Sequence, residues 1–287
     1  MLIIVGSIVV TLCVFGGFAI HGGNVLTLWQ PNELLIIGGA GVGAMLTSAP
    51  IGVIKAIVTQ ILHALTGKDD TKESYMELLM LLFELVKTAK GNLLGLEAHV
   101  ENPEQSDIFK KYPGVLKHHH LIEFIADTLK VQISSPVSPY DLEELMDKDL
   151  DAAHKEEYEA PILVAKLAGA MPGLGIVAAV LGVVYTMGKL TEGKEVIGHS
   201  VAAALVGTFI GILLCYGFME PMAHKMEIRI KEEGKRFDVV KAALLAFAKD
   251  CSPKVCVEFA RRTVPPSIRP TFAEVDTGTQ SVGKKAA

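Results

Sequence analysis

The sequence predicts an all-α, polytopic membrane protein with four transmembrane helices and a helical domain built from one large loop and the tail. Three observations carry that reading. First, 50% of the 287 residues are hydrophobic and 21% charged, fractions close to those of ordinary globular chains, yet the mean hydropathy is +0.40, so the apolar residues must be bunched. Second, four stretches carry no Asp, Glu, Lys, Arg or His: 1–20, 34–54, 167–188 and 200–219, with 20, 21, 22 and 20 residues. A helix needs about 20 apolar residues to cross a hydrocarbon core of about 30 Å, so each stretch is long enough to span. Third, the Lys and Arg residues are placed unevenly, and basic residues mark the cytoplasmic side.

The first span, 1–20, lacks a basic leader and a clear small-residue cleavage site, so it reads as a retained helix rather than a signal peptide. The link 21–33 holds no Lys or Arg, and the link 189–199 holds two. By contrast, eleven lie between Lys55 and Lys155 and thirteen follow the fourth span. Both termini and the large loop 55–166 are therefore expected in the cytoplasm.

Within that loop, Asp70-Thr71-Lys72-Glu73 fits a capping box opening a helix, with Met76, Leu79, Met80, Phe83 and Val86 at helical spacing. Asn102-Pro103 is the predicted stop. Ser138 is the next candidate N-cap, with Pro139 at the first helical position, and an acidic helix runs toward Glu159 and Pro161. Nine acids between Asp141 and Glu159 read as a solvated face. In the tail, 220–264, a helix is expected from Met226 to Phe247. The Pro-, Ser-, Thr- and Gly-rich end, 265–287, has a composition that predicts disorder.

Small residues recur at four-residue spacing in the spans: Gly39 with Gly43, Gly169 with Gly173, and Ala203 with Gly207 and Gly211. Such rows let helix backbones approach closely in lipid. Pro172, among glycines in the third span, predicts a kink or hinge, and Pro221 reads as a possible end of the fourth. No span carries an Asp, Glu, Lys, Arg or His, and Glu33, His21, Lys166, His199 and Glu220 sit at the edges. Intramembrane ion relays rest on such groups. An ion path through this chain therefore expects its carboxylate from another polypeptide. The hydroxyl of Thr208, one turn from Gly211, either faces a packed seam or bonds the carbonyl one turn back.

Several classes are disfavoured. Basic residues form no stripe interleaved with aromatics, so no nucleic-acid partner is expected. His118-His119-His120 point different ways on a helix, and Cys251 and Cys256 lack a second pair, so no metal site is expected. Neither a phosphate-binding GxxxxGK[ST] loop nor a nucleophile elbow is present. The chain is not expected to be an enzyme or to carry a cofactor. A membrane scaffold without an ion path is compatible with charge-free spans, and a lone solute transporter is disfavoured by four spans without a midplane polar site.

Five blocks, MLIIVGSIVV, QPNELLIIGGAGVGA, LLGLEAHVENP, MPGLGIVAAVLGVV and VGTFIGILLCYGFMEP, occur in the order that resembles the flagellar stator MotA family. This family lies within the MotA/TolQ/ExbB proton-channel group. The layout of two spans, a large loop and two spans is similar to MotA rather than to the three-span ExbB and TolQ subunits. The resemblance implies an inner-membrane ring of five copies around a MotB-like single-span partner, which is anchored to peptidoglycan and carries the ion on a membrane aspartate. It implies that Pro172 and Pro221 match the two prolines tied to conformational change. It also implies that Glu97 is the acidic member of a charged patch acting on the rotor protein FliG. The basic member is carried over to Lys90, because Ala89 occupies the position the family usually fills with Arg. Sodium-driven relatives have threonines at the positions of Ala179 and Gly207 as well as Thr208; here only Thr208 remains, which implies a proton-driven stator.

Overall fold

A computed structural model describes residues 2–67, 69–135, 137–189, 191 and 193–285, with the side chains of 199 and 283–285 outside that description. The predicted 189–199 link is thus described only in part. Among the described residues the regular secondary structure is all helical, with no strand. The helices are α1 (Leu2–Ile20), α2 (Pro31–Ser48), α3 (Ile51–Thr66), α4 (Lys72–Gly91), α5 (Leu93–Glu101) and α6 (Pro113–Leu116). They continue with α7 (His119–Ser134), α8 (Pro139–Met187), α9 (Lys194–Ile212), α10 (Glu220–Ala248), α11 (Pro253–Thr263) and α12 (Phe272–Lys285). They group into two compact units, one of Met1–Gly67 with Glu156–Arg229, the other of Lys68–Lys155 with Ile230–Ala287.

The first unit is the apolar one. Helix α1 and the runs Pro139–Met187 and Lys194–Ala248 are long and apolar enough to cross a membrane. The predicted span 34–54 is divided. Helix α2 stops at Ser48, Ala49 and Pro50 are extended, and α3 begins afresh at Ile51. Pro50 causes the break, since proline drives the preceding residue out of the helical region. At about 1.5 Å per residue, the 18 residues of α2 still reach about 27 Å. Two apolar clusters hold the unit together. One joins Ile37, Ala168, Met171, Ala178, Val206 and Ile210, and the other joins Ile57, Ala64, Ala160, Val164, Ala223 and Met226.

The stop near Pro161 is corrected, because α8 runs unbroken for 49 residues through Pro161 and Pro172. Proline at 161 cannot donate to the Glu157 carbonyl one turn back. That carbonyl instead accepts a 3.0 Å bond from Nε2 of Gln60. Pro221 does not end the fourth helix either. Residues Leu213–Met219 widen into a π-helix, with the Glu220 N–H donating to the Cys215 carbonyl five residues back, and α10 follows directly. A π-turn just ahead of a proline accommodates its missing donor.

The second unit centres on α4, whose Leu78 to Val86 are all buried. A helix apolar on every side belongs inside a core. Around it pack Phe109, Leu121, Ile125, Leu129, Val240, Leu244, Val257 and Ala260. Buried Glu84 is satisfied by Lys111 and by the Tyr112 hydroxyl, which donates at 3.0 Å. The N-cap of α4 is Thr71 rather than Asp70. The Ser74 N–H donates to its hydroxyl and its own N–H donates back to Ser74, while Asp70 is gripped by both guanidinium arms of Arg236. The predicted long helix ends at Asn92, and α5 resumes from Leu93. Ser138 caps α8 as expected, its hydroxyl accepting from the Asp141 N–H at 3.2 Å.

The predicted disorder is also corrected for 265–285, while 286 and 287 lie outside the described residues. Residues Pro266–Ile268 form a short turn and α12 a 14-residue helix. Thr271 and Glu274 make a reciprocal capping box at 2.7 and 3.3 Å. Val275 and Val282 then pack on the second unit's core.

Candidate functional site

In the first unit, α8 and α9 meet backbone to backbone. A Cβ at Gly175 would fall 2.7 Å from the Gly207 carbonyl oxygen, and one at Gly211 would fall 2.5 Å from that of Met171. Glycine is required at both. Of the three predicted rows of small residues, only the one carrying Gly207 and Gly211 forms a seam within the chain, and its partner is Gly175. A Cβ at Gly39, Gly43, Gly169 or Gly173 would meet nothing within 4 Å, so these rows face outward, available to another chain.

The structure gathers three sequence-selected residues at this seam. A Cβ at Gly207 would lie 3.1 Å from the Ala178 Cβ and 3.3 Å from the Ala179 nitrogen, and the Thr208 Cα lies 3.2 Å from a Cβ built at Gly175. Thr11, Thr47 and Thr186 spend their hydroxyls on carbonyls one turn back. Thr208 makes no such bond among the described residues, which leaves a half-buried hydroxyl beside the seam. Pro172 is half-buried on α8, two turns before Ala179, between the outward-facing Gly169 and Gly173. Pro221 is exposed in the first turn of α10.

In the sequence Glu33 stands at the edge of the apolar run 34–54, with nothing beside it to mark it as a site. It is 7% exposed, with Oε2 only 2.8 Å from a Cβ built at Gly207 and Oε1 3.6 Å from one at Gly182. Its nearest signal in the sequence was the acid in the first turn of α2, which alone suggests only a favourable helix-dipole contact.

The second unit holds the charged candidates. Ala89 is 6% exposed and belongs to the core, whereas Lys90 ends α4 with a side chain 28% exposed. Its ammonium pairs with Asp250 and lies 5.8 Å from the centroid of the Phe247 ring. Asp250 adopts φ 62°, with its N–H donating to Phe247 and that of Cys251 to Ala246, the left-handed turn that closes a helix. The Lys90 hydrogen bond and charge hold the Asp250 carboxyl below its usual range. Glu97 is exposed on α5 and, with Glu101, Asn102, Lys130 and Ser134, lines a cleft of about 570 Å³. Lys90 and Glu97 make no ion pair with each other among the described residues. Cys256 is buried, and that burial pushes its thiol up to about 11, which suits packing rather than chemistry.

The model of the MotA/TolQ/ExbB proton channel family matches residues 117–239. The model for the motility protein A N-terminal region matches residues 4–92. The chain is 38% identical over 284 residues to motility protein A of Salmonella typhimurium, covering 98% of this chain and 96% of that one. It is 37% identical over 272 residues to the chemotaxis protein LafT of Vibrio parahaemolyticus, covering 94% and 95%. The chain therefore belongs to the motility protein A family. The fold is shared with C. jejuni MotAB at TM-score 0.76, 18% identity and coverage of 94% and 98%. It is also shared with the flagellar MotAB stator complex of Bacillus subtilis at TM-score 0.74, 23% identity and the same coverage.

Proposed function

We propose that this chain is the ring subunit of a proton-driven flagellar stator in the bacterial inner membrane, with four spans and with both termini and the large loop cytoplasmic. In this reading five copies surround a MotB-like, peptidoglycan-anchored partner, whose membrane aspartate carries the proton past Pro172 and Thr208. The second unit then transmits force to FliG through Glu97 and Lys90. The observation that carries the reading is the α8–α9 seam. It closes on itself through Gly175, Gly207 and Gly211, while Gly169 and Gly173 around Pro172 leave a smooth outward face. A face without side-chain bulk accepts a foreign helix closely. Exposed Ile176, Val177, Val180 and Val184 extend it as an apolar surface.

Proton rather than sodium is supported by Ala179 and Gly207, which offer no hydroxyl oxygen where the resemblance expects one in sodium-driven relatives. A charge crossing 100 mV releases about 2.3 kcal/mol, enough to bias two conformations that differ by a few kcal/mol. Replacing Pro172 by Leu is expected to abolish swimming while the protein stays in the membrane at its normal level. Normal swimming in that variant, or speed that follows external sodium and ignores a protonophore, contradicts the proposal.

A further inference from the structure

Among the described residues, Glu33 is the one buried acid of the first unit. Its carboxyl enters the space that Gly182 on α8 and Gly207 on α9 leave empty, and its Oε2 is buried with no hydrogen-bond partner. Gly182 also faces Ala204, and Gly207 faces Ala178 and Ala179, so the side chains packed at these two glycines are alanines. No cation pairs with Glu33 among the described residues. A buried carboxylate of this kind is tolerated only with a positive occupant. A metal cation asks for several oxygen ligands, and the alanines packed at Gly182 and Gly207 offer no side-chain oxygen, whereas a proton needs only the carboxyl itself.

We propose that Glu33 is a proton-binding station supplied by this chain, exchanging one proton between a carboxyl oxygen and water or a neighbouring carboxylate along the ion path. This rests on the stator reading and adds to it a titratable group beyond the partner's aspartate. In the exchange one O–H bond forms as another breaks, and no other bond changes. Glycine at 207 is then required for a second reason besides helix packing, because a methyl group there would lie 2.8 Å from Oε2.

The test measures cytoplasmic acidification with a pH-sensitive fluorescent protein, in cells expressing the full chain with its MotB-like partner. Membrane levels are checked alongside. E33Q keeps the size of the side chain and removes the titration, and its proton flux is expected to fall by about 10²-fold, the low end of what a positioned proton-transfer group contributes. E33D is expected to retain more flux than E33Q, and isotope-edited infrared spectra to show a carboxyl band that changes with pH in the parent and is missing from E33Q. Parent-level flux in E33Q overturns the proposal, as does equal loss in E33D and E33Q matched by loss of protein from the membrane, which marks a packing role. Absence of flux in the parent itself would instead remove the stator reading, so the two failures are distinguishable.

Discussion

Around α4 the buried side chains are large: Tyr75, Phe109 and the leucines at 78, 79, 81, 82 and 85 are within 2% of full burial. Around the α8–α9 seam the arrangement is inverted. Glycines and alanines make the contact, while Ile176, Val177, Val180, Leu181 and Val184 point outward at 50–65% exposure. Each unit suits a different solvent. In water, removal of apolar area drives the core together at about 25 cal/mol per Å². In lipid that drive is absent between helices, and close backbone contact takes its place. Charge follows the same division. In the second unit Glu84 is paired with Lys111 and Tyr112, and Asp70 with Arg236. The first unit encloses Glu33 without such a partner.

The contrast can be broken from either side. The largest effect is expected from Leu82→Ala in the second unit, which deletes a fully buried side chain and should cost about 2–5 kcal/mol, read as a lowered thermal midpoint in detergent. Next comes Gly211→Ala in the first unit. Its methyl would sit 2.5 Å from the Met171 carbonyl, and overpacking against a backbone atom costs about 1–3 kcal/mol. Gly173→Ala, with nothing within 4 Å, should change the stability of the isolated chain by no more than about 0.5 kcal/mol. If it nevertheless stops swimming, another chain packs on that face. Equal costs at 211 and 173 would dissolve the distinction between inner seam and outer face.

The smallest effect is electrostatic. Lys72 at 2.5 Å and the Thr271 cap hold the Glu274 carboxyl down to about 2, from an ordinary value of 4.5. A lowered folded value means that the contribution is complete above pH 4.5 and is lost as pH falls toward 2. Acidification through that window should loosen α12 before the rest of the second unit, seen as proteolysis confined to 272–285. Glu274→Gln should loosen α12 at neutral pH and abolish that dependence.

Much of this was legible from residue order because the signals are local. Charge-free runs marked α1 and the apolar parts of α8 and α9, and Ser138-Pro139 marked the start of α8. What the sequence hid depends on distant or competing groups. Pro161 reads as a stop unless Gln60 is known to take the carbonyl it frees, and Pro221 reads as a stop unless the π-turn before it is foreseen. The end of the chain has the composition of a disordered tail, and its order comes from the Thr271–Glu274 cap with Lys72 on α4. Glu33 lies at the margin of an apolar run. Only the fold brings Gly182 and Gly207 around it.

The central claim divides labour between the units: ion passage belongs to the α8–α9 seam, and rotor contact belongs to Lys90 and Glu97. Proton flux measured side by side in Pro172→Leu and in the double charge reversal Lys90→Glu with Glu97→Lys tests it most directly. The account predicts that flux is lost in the first and stays at the parent level in the second, although neither variant swims. Flux that persists in Pro172→Leu, or disappears in the charge-reversed protein while its membrane level is normal, would contradict it.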